Sequence, residues 1–443
     1  MLKNKVILLC LVVSGFWGVN AQNLNTSPYT RYGLGEQIKL TSTPYTGMGG
    51  ASIAMAGFRF INFANPATYG TVIRYNPVFD AGFMGKASTL KTSESTYNAA
   101  TVSLRNFSML LPVSKKTGFV FGLMPYSNTG YDITNYNDNE GDTITYNFYG
   151  KGSVNRLLLG LGQQIINRGD SIRFSLGVNA SYLFGTLEKS RTVAFEDISY
   201  YNSKVLDKSI VRGFVFDVGM HFYEKVSEKV YFQLGATAKL GSEVKGIQDF
   251  YAYNFKYSAD GVTEIGKDTT SFLVDNDGIF TLPKGFGIGG SVTIDKKFTI
   301  SAQYETQNWQ DYSQTFDSIE YNPTELTQSN RFSYGIEYTP FIDESVKTSS
   351  AIKLSTYRAG FHHGYSPYFL SDTHLKQYGI SFGISIPLIS SNSYSTMNLG
   401  FELGKMGTTE NGLIEDNYFN FNLGFALSPN SRFDKWFKKR LYD

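Results

Sequence analysis

The chain has 443 residues, of which 18% are charged and 16% aromatic, against about 25% charged in a typical soluble domain. A formal net charge of +2 gives no global pull on nucleic acid, so no nucleic-acid partner is expected, and the lack of an apolar run of ~18 residues beyond the N-terminus excludes a bundle of membrane helices. Glycine is common (44) and proline scarce (12), which excludes a collagen-like or low-complexity chain, while 31 tyrosines and 35 phenylalanines suit strands and membrane interfaces.

The first residues, 1–21, read as an export signal. Lys3 and Lys5 form its basic start, Val6 to Val13 its apolar run, and Val19-Asn20-Ala21 a small-residue cleavage site before Gln22. The only cysteine, Cys10, lies inside that run, so the exported chain carries no disulfide and no thiolate site. Residues 22–75 do not alternate and are rich in small side chains, as in Gly47-Met48-Gly49-Gly50-Ala51-Ser52 and Asn65-Pro66-Ala67. Such a stretch suits close backbone packing inside a barrel wall, whereas a free tail would be polar or charged. It is expected to be a plug.

Alternation with period two starts near residue 76. Ile172, Phe174, Leu176, Val178, Ala180 and Tyr182 share one face, with Arg173, Ser175, Gly177, Asn179 and Ser181 on the other. Runs starting at Val230, Phe298 and Phe419 repeat the pattern. Each is about ten residues long, enough to cross a bilayer as a tilted strand. A soluble sandwich strand is usually about five or six. The segments are 76–88, 97–111, 117–127, 151–165, 171–187, 210–223, 229–241, 284–294, 297–309, 330–339, 352–363, 376–387, 396–406 and 417–427. That makes 14, an even number, as single-chain bacterial barrels require.

The gaps supply an independent check. Long polar gaps at 128–150, 188–209, 242–283 and 310–329 alternate with turns at 112–116, 166–170, 224–228 and 295–296. Short periplasmic turns opposite longer extracellular loops are the outer-membrane pattern. The expected fold is therefore all-β: a 14-stranded antiparallel transmembrane β-barrel over 76–427, with an N-terminal plug (hatch) in its lumen. Both termini are expected in the periplasm of a diderm bacterium, with outer-membrane lipid around the wall. Residues 428–443 form a basic tail containing Arg432, Lys435, Lys438, Lys439 and Arg440.

On this register Arg173, Asp217, Lys239, Glu305, Glu337, Arg358 and Glu402 point inward. Charges of both signs on a lumen face read as a pairing network between wall and plug, since barrel lumens are polar. No nucleophile–base pair can be placed, so no catalytic site and no enzyme is expected. His362 and His363 are adjacent on a strand and point to opposite faces, so with His374 they are not read as a metal site. Asn137 to Asp142 and Asp275 to Gly278 match ordinary turns. Gly285-Phe286-Gly287-Ile288-Gly289-Gly290 lies in a strand with no helix behind it, where glycines let the wall bend or the plug approach. No metal and no cofactor is expected.

The order of export signal, Gly- and Ala-rich segment, Asn65-Pro66-Ala67 and about 14 strands resembles the FadL-like family of outer-membrane transport proteins. Leu123-Met124-Pro125-Tyr126 after Gly118 and Gly122, and Tyr357-Arg358-Ala359-Gly360, are similar to strand signatures of that family. The opening Ser27-Pro28-Tyr29-Thr30-Arg31-Tyr32-Gly33-Leu34-Gly35 resembles the mature N-terminus of one subgroup. The resemblance implies an N-terminal hatch with Asn65 and Pro66 as structural residues, and the small-residue stretch adds Gly49, Gly50 and Ala67 as expected hatch residues. It also implies entry of hydrophobic small molecules from outside and passage through a gap in the wall. Two functions follow. One is uptake of hydrophobic compounds, which aromatic loops such as Tyr251 to Tyr257, Phe272 and Phe280 favour. The other is a non-transporting barrel that serves an outer-membrane protein-secretion complex, which the long 242–283 gap and the basic tail favour.

Overall fold

The computed structural model describes residues 27–428 apart from 58, 72–75, 140–141, 170, 318, 341–350 and 389–394. The export signal and the basic tail beyond Ser428 lie outside the described residues. The strands, in chain order, begin with β1 (Glu36–Gln37) in the N-terminal segment. There follow β2 (Val78–Lys91), β3 (Thr96–Pro112), β4 (Thr117–Asn139), β5 (Asp142–Asn167), β6 (Ile172–Phe195), β7 (Asn202–Lys225) and β8 (Val230–Lys239). Next come β9 (Ser242–Tyr257), β10 (Glu264–Leu282), β11 (Gly285–Ile294), β12 (Phe298–Asn308), β13 (Ser313–Phe316) and β14 (Ile319–Tyr321). The last are β15 (Gln328–Tyr338), β16 (Thr356–Leu370), β17 (Thr373–Pro387), β18 (Thr396–Met406) and β19 (Glu415–Leu427).

Fourteen of these form the wall. β8 pairs with β11 and β12 with β15, so β9, β10, β13 and β14 stand outside the ring. β19 closes on β2 from Glu415↔Lys91 to Leu427↔Phe79. The result is a closed 14-stranded antiparallel barrel, with each expected segment lying on one wall strand. Its outward face is apolar: Leu159 is 47% exposed and Phe286 56%, while inward Ser181 and Asn179 are fully buried. So many exposed large apolar side chains are untenable in water and natural in lipid.

Four gaps need correction, because they carry strands rather than loops. β4 to β7 run 23, 26, 24 and 24 residues, far more than the ~10 that cross a bilayer. The 242–283 gap is the hairpin β9–β10, which pairs with the upper half of β7, and 310–329 holds β13 and β14. Tyr251 to Tyr257 therefore lie on a strand, and Phe280 is buried. Above the membrane both faces of a strand are wet, so the apolar alternation fades although the backbone ladder continues.

Residues 27–71 run through the lumen. Ser27 N donates to Gly130 O, high on β4, while Gln164 Nε2 donates to Gly70 O near the short-turn end. Ser27 thus lies towards the long-loop end, and the residues before it lie outside those described. The wall meets this segment with glycines. Gly360 faces the backbone of Met48 and Gly177 that of Pro66, so closely that no Cβ fits at either position. Gly287 and Gly289 face Ile53, which explains the glycine run of β11. Only a bare strand backbone lets another backbone lie against it.

Candidate functional site

A cavity of ≈ 380 Å³ remains in the upper lumen. Its floor is the N-terminal segment at Thr46, Gly50 and Ala64. The wall holds this floor by specific hydrogen bonds. Ser52 N and Ile53 N both donate to Gln303 Oε1 (2.7 and 3.0 Å), and Gly49 N donates to Ser381 Oγ at 2.7 Å. Asn65 Nδ2 donates to Ile53 O (2.8 Å) and to Met220 O of β7 (2.9 Å), and Asn65 Oδ1 accepts from Ala67 N at 3.1 Å. The roof is an apolar cluster under the long-loop end that includes Trp309, Tyr312, Leu326, Tyr368 and Leu413. Tyr29 stacks on Tyr368 with ring centroids 5.7 Å apart. The Tyr29 hydroxyl donates to Ile414 O, and burial pushes its pKa up to about 12.

The side of the cavity is open in one place. The β3–β4 ladder pairs only from Pro112↔Gly118 to Phe107↔Leu123, although both strands continue upward. A bulge at Arg105, between the pairs Gly82↔Asn106 and Phe83↔Leu104, turns β3 away at this height. β1 caps part of the freed edge of β4 by pairing Glu36 with Asn128 and Gln37 with Ser127. The cavity reaches the break at Thr101 and Arg105 of β3 and at Tyr126 and Asn128 of β4.

Ten charged side chains line this cavity: Lys39, Lys86, Arg105, Arg156, Lys239 and Arg331, against Glu36, Asp217, Glu305 and Glu402. Lys86 bridges Glu36 (3.1 Å) and Asp416 (3.4 Å). Arg105 donates to Thr41 O and Asn422 Oδ1. Among the described residues, the remaining seven make no ion pair. Asp217 and Lys239 are cross-strand partners on the same face, as are Glu305 and Arg331, yet neither pair closes. Glu305 accepts from Gln303, Glu402 from Asn420, and Arg331 Nη2 donates to Gly49 O at 2.9 Å. Depth in the lumen, and the neighbouring Arg331, hold the Lys39 ammonium well below the usual lysine range.

The other inward charges lie away from this cavity. Arg358 reaches Glu337 at 2.7 Å, donates to Ser385 Oγ and lies over the Phe60 ring of the floor. Glu337→Gln should leave Arg358 buried and unpaired, destabilising the barrel by about 3 kcal/mol in urea unfolding. Arg173 sits near the turn end, its guanidinium 4.3 Å from the Tyr223 ring centroid. His362 is buried inward, His363 stacks outward on Phe332 and His374 stacks on Tyr365, so the three stand apart. Asp275 belongs to β10, where its N–H donates to Asp249. The sequence reading missed Glu36, Lys39, Lys86, Arg105, Arg156 and Arg331. Arg156 and Arg331 occupy inward positions of segments already recognised, and the same parity count would have found them.

Comparison with known proteins places this architecture. Among the solved structures that are similar, three illustrate a match at low identity over nearly their whole length. The CymD monoaromatic hydrocarbon channel is 12% identical, with 88% of this chain and 98% of that one covered at a TM-score of 0.54. For a Pseudomonas aeruginosa FadL homologue the values are 11%, 89%, 99% and 0.54. For the Pseudomonas putida toluene transporter TodX they are 14%, 89%, 99% and 0.53. No curated protein matches the sequence. The shared fold is that of a FadL-like β-barrel. One family model, BamG, matches residues 1–443, and the chain belongs to the BamG family.

Proposed function

We propose that this protein is a non-transporting FadL-like barrel that serves an outer-membrane protein-assembly or secretion complex as a component or accessory. In this reading residues 22–75 are a fixed hatch, with Gly49, Gly50, Asn65, Pro66 and Ala67 as its structural residues. The lining of the cavity carries the reading. A hydrophobic compound entering at the β3–β4 break would have to desolvate seven charged groups that have no ion pair among the described residues, at several kcal/mol with nothing in return. Two further observations support it. The family name, BamG, points to an accessory role. The tall one-sided sheet of β4–β7, β9 and β10 also presents apolar side chains such as Phe272 (65% exposed) and Val274 (50%) well above the barrel.

Uptake of hydrophobic small molecules is the second reading. The wall break favours it, as do the similar solved structures, which include a toluene transporter. Proteoliposomes that enclose a toluene-responsive dye separate the two readings. Liposomes with the full chain should fill no faster than lipid alone. A rate that rises with the amount of barrel would overturn the proposal in favour of uptake.

A further inference from the structure

The charged cavity lies at a particular depth. Counting up from the short-turn end, Asp217, Lys239, Glu305, Arg331 and Glu402 stand six to nine residues along their strands. About ten residues cross the bilayer, so this ring lies in its outer half, near the headgroups. The β3–β4 break opens at the same height, above Phe107↔Leu123. On the lipid side of that break stand Val102, Leu104, Phe107 and Leu123, all exposed and apolar. A polar chamber with an apolar doorstep fits an amphiphile better than a hydrocarbon.

The electrostatics sharpen the class of ligand. Lys39 and Lys239 are open to the cavity and close no ion pair among the described residues, and buried Arg156 (6% exposed) has an Nε without a hydrogen-bond partner among them. Asp217 likewise has one oxygen unpartnered. Opposite charges that face each other without pairing leave room for a group that carries both signs. We propose that the cavity binds the zwitterionic, phosphate-bearing head of a phospholipid. The phosphate meets Lys39, Lys239 and Arg156, and the ammonium meets Asp217. The acyl chains stay in the bilayer, outside the break. An anion near Lys39 would also relieve the crowding of that ammonium by Arg331.

The full chain in nanodiscs of a phosphate-free galactolipid provides the baseline for a test by thermal unfolding. Adding phosphatidylethanolamine at about a fifth of the lipid should raise Tm, and Lys39→Gln should weaken this response roughly tenfold in lipid concentration. Lys39→Gln should leave heat-modifiable gel migration unchanged, since Lys39 has no partner among the described residues. Inorganic phosphate alone, at 10 mM in galactolipid nanodiscs, should raise Tm by less than half as much. A phosphate effect equal to the lipid effect would overturn the lipid source. No lipid response, or the same response in Lys39→Gln, would overturn the site itself.

Discussion

Removing residues 22–75 should raise single-channel conductance from near zero to that of an open pore as wide as 14 strands permit. The floor of the cavity is built from this segment, and its backbone lies directly on wall glycines such as Gly177 and Gly360. No other described element crosses the lumen at that height. The wall closes by its own ladder from β19 to β2 without the segment, so the shortened barrel should still shift on heating in a gel. Planar bilayers give the measurement. An unchanged conductance in a folded barrel would mean that the floor does not seal the lumen.

The second large effect concerns the lipid face. Leu176 is 42% exposed on β6 and stands four residues above Ile172, close to the middle of the bilayer. Leu176→Arg should cost roughly 2–4 kcal/mol in urea unfolding from bilayers. The neighbouring inward position, Ser175, is a poor control, because it is fully buried and overpacking there costs stability as well. Asn420 is better: it lines the cavity and donates to Glu402 at 3.3 Å. Asn420→Arg should cost under about 1 kcal/mol, since a cation there gains an acid. Equal costs at the two positions would mean that the wall faces are assigned wrongly.

Much of this was legible in the residues, for a physical reason. Within the bilayer a strand must be apolar outside and small or polar inside, so Ile172 to Tyr182 announce both a strand and its faces. Above the bilayer that constraint ends, and β9 and β10 were invisible because Tyr251 to Tyr257 and Glu264 to Asp277 show no clean alternation. The wall break left a faint trace. Leu104 and Phe107 both face outward although they are three apart, the spacing that a bulge at Arg105 produces. The small residues at 47–54 and 65–67 foretold close packing, but not the direction of travel from the long-loop end to the turn end. Nor did spacing alone reveal that Asp217 and Lys239 would face each other and stay apart, because that depends on the shape of the cavity between them.

The central claim is that this barrel serves a protein complex rather than carrying hydrophobic cargo. Native mass spectrometry of the full chain, extracted gently from its own outer membrane, tests this most directly. The account predicts a mass well above 49.5 kDa, with a larger protein partner at fixed stoichiometry. A lone barrel that carries a hydrophobic small molecule in its lumen would contradict it.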